Sequence, residues 1–241
     1  SIKKGIKAPL NLVYCNNCQL LQLEHSAPQE IMYKKFYWYK SGITKTMRDG
    51  LKELYRDIKK NCKIKPGDVI LDIGANDGTF LKYFKKRKIK VVGIEPAVNV
   101  CKKAKKKGIK TINSFFNDKL VNRLKRNLSP SLISANYVFA NIEDINNFID
   151  NILKILKQDG TLAINTGYHP TQFKKNMFDY IYHEHYSYFS LSFLKIFFER
   201  KGLEIIYAEK TIPKLGSIFL LVKRKNNNLK SKFISKLINE E

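Results

Sequence analysis

A cluster of histidine, glutamate and tyrosine side chains between residues 180 and 188 could carry acid–base chemistry. The segment reads YIYHEHYSY, so two histidines flank one glutamate and four tyrosines surround them. An imidazole titrates near neutral pH and can accept a proton there. Neighbouring carboxylate and phenol groups can fix its tautomer or stabilise an oxyanion. The candidate catalytic residues are therefore His185, Glu184, Tyr182 and His183.

The same cluster is also compatible with two roles that involve no acid–base catalysis. It could be a polar bridge between an insertion and the protein core, with no chemical role. It could also bind a metal through the HEH triplet, although the third ligand that a catalytic zinc needs has no evident source in the sequence.

A second candidate site lies in residues 69–78, which read VILDIGANDG. The apolar run predicts a buried strand that ends in a glycine-rich turn and then a helix start. Glycines suit this turn because they accept φ > 0 and have no Cβ, so the backbone can approach a ligand. The spacing is not GxGxxG and no GK[ST] follows, which disfavours a dinucleotide or nucleoside-triphosphate site. The turn contributes Asp72, Gly74, Asn76 and Gly78 as candidates.

A further acidic candidate follows the next apolar run, at residues 91–94. In a βαβ crossover, Glu95 would lie at the carboxyl end of the neighbouring strand and could accept two hydrogen bonds from a ribose diol. The carboxyl ends of parallel strands share one edge of a sheet, and ligands bind there. Phe115 could cover an adenine ring there or could simply be core. The other candidates at this edge are Pro96, Ser114 and Asn136.

Cys15 and Cys18 form a CxxC pair, whereas Cys62 and Cys101 stand alone. Two thiolates are half of a tetrahedral zinc site, and the sequence holds no second pair. The pair could equally be redox-active or inert. Downstream, residues 33–42 are rich in aromatic side chains that could plug an interface or line a polar pocket.

The remaining pattern alternates strands and helices as a parallel α/β fold requires. We expect units at 1–45, 46–225 with an insertion at 166–190, and a helical or frayed tail at 226–241. The predicted strands are 69–72, 91–94, 110–113, 132–138, 161–165, 203–207 and 217–223. The predicted helices are 45–62, 79–86, 99–107, 118–127, 145–156 and 191–201.

The chain of 241 residues has a formal net charge of +24. Most of the basic residues are lysines that fall at the ends or outer faces of predicted helices, so we interpret them as a solvated surface and not as a nucleic-acid site. Attraction of a diphosphate-bearing substrate is the functional alternative. The sequence has no apolar run of eighteen residues and begins with no signal-peptide pattern, which predicts a cytoplasmic protein. The first residue is Ser1, so we expect upstream residues to have been removed or never included.

Four segments together resemble the zinc-binding sugar C-methyltransferases of deoxysugar biosynthesis, which are class I S-adenosylmethionine (SAM) methyltransferases. The segments are CNNCQLLQLEH, YKKFYWYKSG, LDIGANDG with GIEP, and YIYHEHYSYFS. The resemblance implies a Rossmann-like fold with a mostly parallel seven-stranded sheet and helices on both faces. It implies SAM over the glycine turn and a nucleotide-linked keto-sugar between the aromatics and the YHEH loop. It assigns the base to His185 and the substrate side to Tyr37, Tyr39 and Asn141.

The chain departs from this family in three places. The upstream CxxC is missing, so structural zinc held by Cys15 and Cys18 is in doubt. The motif after the fourth strand reads ANYVFAN, which puts Asn141 where a histidine is usual. Near the end, residues 214–220 read KLGSIFL in place of HGGSxR. The family's sizeable C-terminal substrate-binding domain is cut short after Glu241, so we expect residues 226–241 to be a tail or the start of that truncated domain. We therefore expect a fragment or a reduced homologue.

These observations predict a SAM-dependent C-methyltransferase that forms an enolate on a nucleotide-linked keto-deoxysugar. An O- or N-methyltransferase is the first alternative. A catalytically degenerate binding protein with the same fold, or a nucleic-acid-binding one, is the second.

Overall fold

The computed structural model describes residues 7–34, 36–85, 88–211, 216–226 and 232–241. The strands of these residues form a sheet of seven and a sheet of three. The strands are β1 Leu12–Tyr14, β2 Leu21–Leu23, β3 Val69–Ile73, β4 Lys90–Ile94, β5 Lys110–Ile112, β6 Leu132–Asn136, β7 Thr161–Gly167, β8 Ser187–Tyr188, β9 Leu203–Thr211 and β10 Ser217–Arg224. The helices are α1 Gln29–Tyr33, α2 Lys45–Asn61, α3 Lys82–Lys85, α4 Val98–Lys106, α5 Asp118–Leu124, α6 Ile145–Ile155, α7 His169–Lys174, α8 Leu191–Arg200 and α9 Lys232–Asn239, with short 3₁₀ turns at Phe139–Asn141 and Phe178–Tyr180.

The large sheet has the order β5-β4-β3-β6-β7-β10-β9. Strands β3 to β7 are parallel, and β10 runs antiparallel to both β7 and β9. Ile70 of the central strand pairs with Val91 on one side and with Leu132 on the other. The expected mostly parallel, seven-stranded sheet is confirmed.

Both faces of this sheet are covered, which explains why its central strands are mostly apolar. Ile70 packs on the face that also holds the buried side chains of α2, α3 and α4. Leu71, which points the other way, packs with the side chains of α5, α6, α8 and α9. The expected helices on both faces are confirmed.

The small sheet joins the N-terminal segment to the insertion. β2 lies between β1 and β8, and Leu21 pairs with Tyr188 while Gln22 pairs with Ser187. Strand β8 was not among the predicted strands. The 180–188 loop is therefore fixed to the segment that precedes the large sheet.

The predicted helix over residues 79–86 is much shorter, because α3 begins only at Lys82. Asp77 accepts hydrogen bonds from the backbone and hydroxyl of Thr79, and the next residues make i→i+3 bonds, so the chain turns tightly first. The last predicted residue, Lys86, lies outside the described residues. Strand β6 also ends early, at Asn136, because Tyr137 has φ 56°.

The tail is helical where the structure describes it. Ile234 and Leu237 of α9 are buried in the core, and the Glu241 carboxylate accepts hydrogen bonds from the backbone of Leu191 and Ser192 at the start of α8. Residues 214 and 215 of the KLGSIFL region and residues 227–231 of the tail lie outside the described residues. Across the described part of the chain, none of the helices combines the length and the apolar character that a membrane crossing needs.

Candidate functional site

A cavity of roughly 380 Å³ opens at the carboxyl ends of β3, β4 and β6. Four parts of the chain line it: helix α1, the aromatic segment of residues 36–41, the strand ends with the glycine turn and the loops that follow them, and the loop of residues 182–185. Most of the residues that the sequence singled out therefore face one space. They are Gly74, Asn76, Glu95, Pro96, Phe115, Asn136, Tyr37, Tyr39, Asn141, Tyr182, Glu184 and His185.

The two glycines of the turn have different roles. Gly74 lines the cavity at φ +71°, and a Cβ there would lie 2.2 Å from Cγ2 of Val138. Gly78, at φ +74°, faces away from the cavity, and its Cβ would lie 3.0 Å from Ile109. The first glycine opens the ligand space, whereas the second permits close packing inside the domain.

Glu95 is buried at the end of β4 and organises the turn. One carboxylate oxygen accepts from the backbone N–H of Asn76 and the other from that of Ala97, both at 2.8 Å. Burial raises the pKa of Glu95 to about 6 against the opposing effect of these bonds. Each carboxylate oxygen can accept a second hydrogen bond, so the residue can still receive two donors from a ligand.

Asp72 does not line the cavity, although the sequence placed it in the cofactor site. It is buried in β3, and its Oδ1 accepts from the Ser134 hydroxyl at 2.6 Å and from Nδ2 of Asn136 at 3.3 Å. Burial raises the pKa of Asp72 to about 7. Its bond to Asn136 leaves Oδ1 of that amide buried in the cavity wall without a partner among the described residues. Asp72 thus acts on the cavity through Asn136.

The apolar part of the cavity lies beside Glu95. Ile73, Ile94, Pro96 and Phe115 line it. The amide of Asn113 donates to the carbonyl groups of both Glu95 and Pro96, at 2.8 Å each, and so fixes the bend after β4. The placement of Phe115 agrees with a ring-covering role. Ser114 bonds the carbonyl oxygen of Phe115 and is not among the lining residues.

The aromatic segment has no regular secondary structure, and two asparagines hold it in place. Asn99 accepts from the backbone N–H of Tyr37 at 3.1 Å and donates to its carbonyl at 2.9 Å. Asn76 donates to the carbonyl of Tyr39 and accepts from the N–H of Ser41, both at 3.1 Å. The segment is therefore attached directly to the glycine turn.

His185 lies in the cavity wall with its tautomer defined by its neighbours. Nδ1 is 2.9 Å from the carbonyl oxygen of Tyr180, which can only accept, so Nδ1 carries a proton. Nε2 is 3.0 Å from the hydroxyl of Tyr182. In the neutral ring Nε2 holds the lone pair, and Tyr182 donates to it. Burial raises the pKa of Tyr182, so this phenol is a neutral donor at physiological pH.

The neighbouring histidine has a different environment. Nε2 of His183 lies 3.1 Å from the carbonyl oxygen of Ala8 and 3.2 Å from that of Pro9. It is absent from the residues that line the cavity. The structure therefore gives His183 a contact with the N-terminal segment and no position from which it could reach a ligand in the cavity.

Glu184 contacts Tyr33 of α1 and Tyr37 of the aromatic segment inside the cavity. Its Oε2 accepts from the hydroxyl groups of Tyr33 at 3.4 Å and Tyr37 at 3.5 Å. Burial, followed by the charge of Glu184, raises the pKa of both phenols. Asn141 donates from Nδ2 to the Tyr33 hydroxyl at 2.7 Å. The carboxylate thus faces a set of neutral donors.

The CxxC pair forms the turn between β1 and β2, where the N–H of Gln19 donates to the carbonyl of Cys15 at 2.7 Å. The backbone and thiol of Cys18 lower the pKa of the Cys15 thiol. Among the described residues no group of three or more histidine, cysteine or acidic side chains could hold a metal. Cys15 and Cys18 alone provide two of four zinc ligands, so the expected structural zinc is not supported by the described residues.

Several residues of this site carry no signal in the sequence. Asn99 lies in the first turn of α4 and has the pattern of an ordinary helical residue, whereas Tyr33 belongs to the aromatic residues 33–42 but its partners Asn141 and Glu184 are not signalled. Tyr137 lines the cavity with φ 56°, and its N–H donates to the carbonyl of Asn165 at 2.7 Å. These are contacts between distant parts of the chain, and no local spacing signals them.

Comparisons with known proteins agree with this geometry. Residues 42–208 match the family described as a methyltransferase domain. Over 211 residues the chain is 29% identical to the C-methyltransferase NovU of Streptomyces niveus, a match that covers 87% of this chain and 50% of the relative. The chain thus spans about half the length of this curated relative.

Solved structures share the fold at low identity. The PH0226 protein of Pyrococcus horikoshii matches 78% of this chain and 95% of its own, with 12% identity and a TM-score of 0.61. The magnesium protoporphyrin IX methyltransferase of Synechocystis, solved with bound S-adenosylhomocysteine (SAH), matches 75% and 84%, with 9% identity and a TM-score of 0.57. The fold is that of the class I methyltransferases, and the chain belongs to the methyltransferase-domain family.

Proposed function

We propose that this protein is a SAM-dependent C-methyltransferase that acts on a nucleotide-linked keto-deoxysugar through an enolate. One observation carries the proposal: the glycine turn with Glu95 and the imidazole of His185 line the same cavity. A methyl donor beside the glycine turn and Glu95 and an acceptor carbon beside His185 would therefore lie within one cavity.

The cofactor half of the cavity fits SAM in its donors, acceptors and shape. Glu95 can accept from the two ribose hydroxyl groups, since each of its oxygens has spare acceptor capacity. The unpartnered Oδ1 of Asn136 can accept from an amino group of the ligand. Phe115 and Pro96 supply an apolar surface for a planar ring. When bound, SAM would supply an electrophilic methyl group on a sulfonium.

His185 is the proposed base. Nε2 would take the proton from the carbon next to the sugar ketone, and the electron pair of the broken C–H bond would delocalise onto the ketone oxygen. The bond from Nδ1–H to the Tyr180 carbonyl stabilises the imidazolium that results. A positioned general base contributes about 10²–10⁴-fold to a rate.

Tyr182 is the proposed donor to the enolate oxygen. Its hydroxyl points at Nε2 of His185 before the reaction, and it must turn away as Nε2 receives the proton. A neutral phenol that turns toward the ketone would then stabilise the developing negative charge. Burial raises the pKa of Tyr182, which keeps the proton on the phenol for this role.

The proposed substrate class rests on the resemblance of the four segments to the sugar C-methyltransferases. It also rests on the polar side chains that line the cavity near His185. Tyr37, Tyr39 and Glu184 bring hydroxyl and carboxylate groups that suit a polyhydroxylated ring. The similarity to a C-methyltransferase favours carbon over oxygen or nitrogen as the acceptor.

The proposal is tested by incubating the protein with [methyl-¹³C]SAM and a panel of nucleoside-diphosphate-linked keto-deoxyhexoses. We expect a new ¹³C methyl signal bonded to a ring carbon adjacent to the ketone. A methyl signal at the chemical shift of an ether or an amine would instead establish O- or N-methylation. Tight SAH binding without turnover on any member of the panel would contradict the proposed substrate class.

A further inference from the structure

Asn141 and Tyr33 are connected to Glu184 by a chain of hydrogen bonds from three separate parts of the sequence. Nδ2 of Asn141 donates to the Tyr33 hydroxyl at 2.7 Å, and that hydroxyl lies 3.4 Å from Oε2 of Glu184. Tyr33 ends helix α1, Asn141 ends a 3₁₀ turn after β6, and Glu184 belongs to the loop that carries His185. All three line the cavity.

The direction of donation along this chain follows from the chemistry of the groups. An amide nitrogen can only donate, and an ionised carboxylate can only accept. With Nδ2 of Asn141 turned to Tyr33, the phenol oxygen accepts from the amide, and its own proton is available only to Glu184. This orientation gives each contact one donor and one acceptor.

Helix α1 is attached to Asn141 at two points. Nε2 of Gln29 donates to the backbone carbonyl of Asn141 at 2.9 Å, and Tyr33 meets its side chain one helical turn later. The position of the Tyr33 hydroxyl is therefore set by Asn141. The amide nitrogen of Asn141 is therefore already hydrogen-bonded to α1.

We propose that Tyr33 is a positioning residue that orients the Glu184 carboxylate for the reaction, and that Asn141 acts on Glu184 through Tyr33. This inference rests on the proposed function. It gives the Nδ2 of Asn141 a role beside the expected substrate contact, for which the buried Oδ1 in the cavity wall has no partner among the described residues.

The first test needs no substrate. The carboxyl ¹³C signal of Glu184, assigned by its loss in Glu184→Gln, is titrated against pH in labelled protein. Tyr33→Phe removes a donor to the ionised form, so the midpoint should move to higher pH. Tyr37, Tyr182 and Tyr186 are further titratable groups near Glu184, and they stay in place. Tyr14→Phe, on the exposed strand β1, should leave the midpoint unchanged.

Variants of Asn141 separate positioning from a merely structural role. Asn141→Asp has the same shape but only accepts and also adds a negative charge near Glu184, so it should draw the Tyr33 proton away and raise the Glu184 midpoint by more than Tyr33→Phe does. Asn141→Leu removes the amide but leaves the phenol able to donate, so its effect should be smaller. In the Tyr33→Phe background Asn141→Leu should have no further effect, because both changes act on one chain of bonds.

The second test is catalytic and uses the keto-sugar panel. Tyr33→Phe and Asn141→Asp should lower kcat/KM by about tenfold to a hundredfold, mainly in kcat, as expected for loss of a hydrogen bond to a charged group. If Tyr33→Phe does not fold, Asn141→Leu carries both tests with its smaller effect, because it keeps the phenol and adds no charge. An unmoved Glu184 midpoint in both, or additive effects in the double variant, would overturn the proposal. Absence of turnover in the wild type with the expected midpoint shifts would instead count against the proposed function alone.

Discussion

The hydroxyl of Tyr182 lies 3.0 Å from Nε2 of His185, on the side of the ring opposite the carbonyl that Nδ1 contacts. This arrangement leaves the imidazole with one lone pair and places a neutral phenol directly beside it. The proposed base and the proposed oxyanion donor are thus adjacent in the structure.

The two histidines of the loop should therefore behave differently when each is replaced. We expect His185→Asn to lower turnover by about 10²–10⁴-fold while SAH affinity, measured by calorimetry, changes little. His183→Asn should keep most of the turnover, because that ring contacts only the Ala8 and Pro9 carbonyls among the contacts described. Equal losses in the two variants would show that the assignment of the base is wrong.

Asp72 gives a pH-dependent prediction for stability. Its pKa is about 7 in the fold, well above the ordinary value near 3.8, so the folded state keeps a proton that the unfolded chain loses. Its contribution to stability is present at low pH and is lost as the pH rises from about 4 to about 7. Asp72→Asn lacks this loss, since the amide is neutral at every pH.

The free energy of unfolding of Asp72→Asn relative to wild type should therefore increase between pH 5 and pH 8, by on the order of 2–4 kcal/mol. Urea titrations of both proteins at each pH measure this difference, and effects of net charge common to both cancel. A difference that stays constant with pH would show that Asp72 is ionised in the fold across this range.

Gly74 allows a matched comparison of two glycines with the same backbone angle. Gly74→Ala and Gly202→Ala both place a Cβ at φ near +70°, which costs about 1 kcal/mol. Only the first adds a contact at 2.2 Å, with Val138, because Gly202 has nothing within 4 Å. We expect Gly74→Ala to weaken SAH binding at least tenfold, and Gly202→Ala to lower the melting temperature alone. Normal SAH affinity in Gly74→Ala would show that the turn is not part of the cofactor site.

Asn99 should matter for the substrate side although its own side chain is not in the cavity lining. Asn99→Ala frees the backbone of Tyr37, so the aromatic segment should lose its fixed position and KM should rise more than kcat falls. Asn147→Ala, which breaks an exposed bond to Asp118, is the matched control. An unchanged KM in Asn99→Ala would mean that the segment is held by other contacts.

The sequence predicted the sheet and one wall of the cavity well. Apolar runs such as residues 69–73 and 91–94 define buried strands, and the glycines and Glu95 follow them at fixed distances along the chain. The length of the predicted helix 79–86 was overestimated because the Asp77 carboxylate accepts the hydrogen bond of the Thr79 N–H. Hydrophobic periodicity does not indicate such local competition for backbone groups.

The side of the cavity lined by His185, Glu184 and the aromatic segment depends on contacts between residues that are far apart in the sequence. His183 and His185 flank the same glutamate, and only the fold shows which of them lines the cavity. The roles of Asn99 and Tyr33 depend on partners 62 and 151 positions away along the chain. Such pairings arise from tertiary packing, so residue type and spacing could not reveal them.

The measurement that tests the central claim most directly is deuterium incorporation into a nucleoside-diphosphate-linked keto-deoxyhexose in D₂O without SAM. An enolate formed by His185 predicts exchange at the carbon next to the ketone in the wild type, and no exchange in His185→Asn. Methyl transfer by a wild-type protein that shows no exchange, or exchange at the full rate in His185→Asn, would contradict the account.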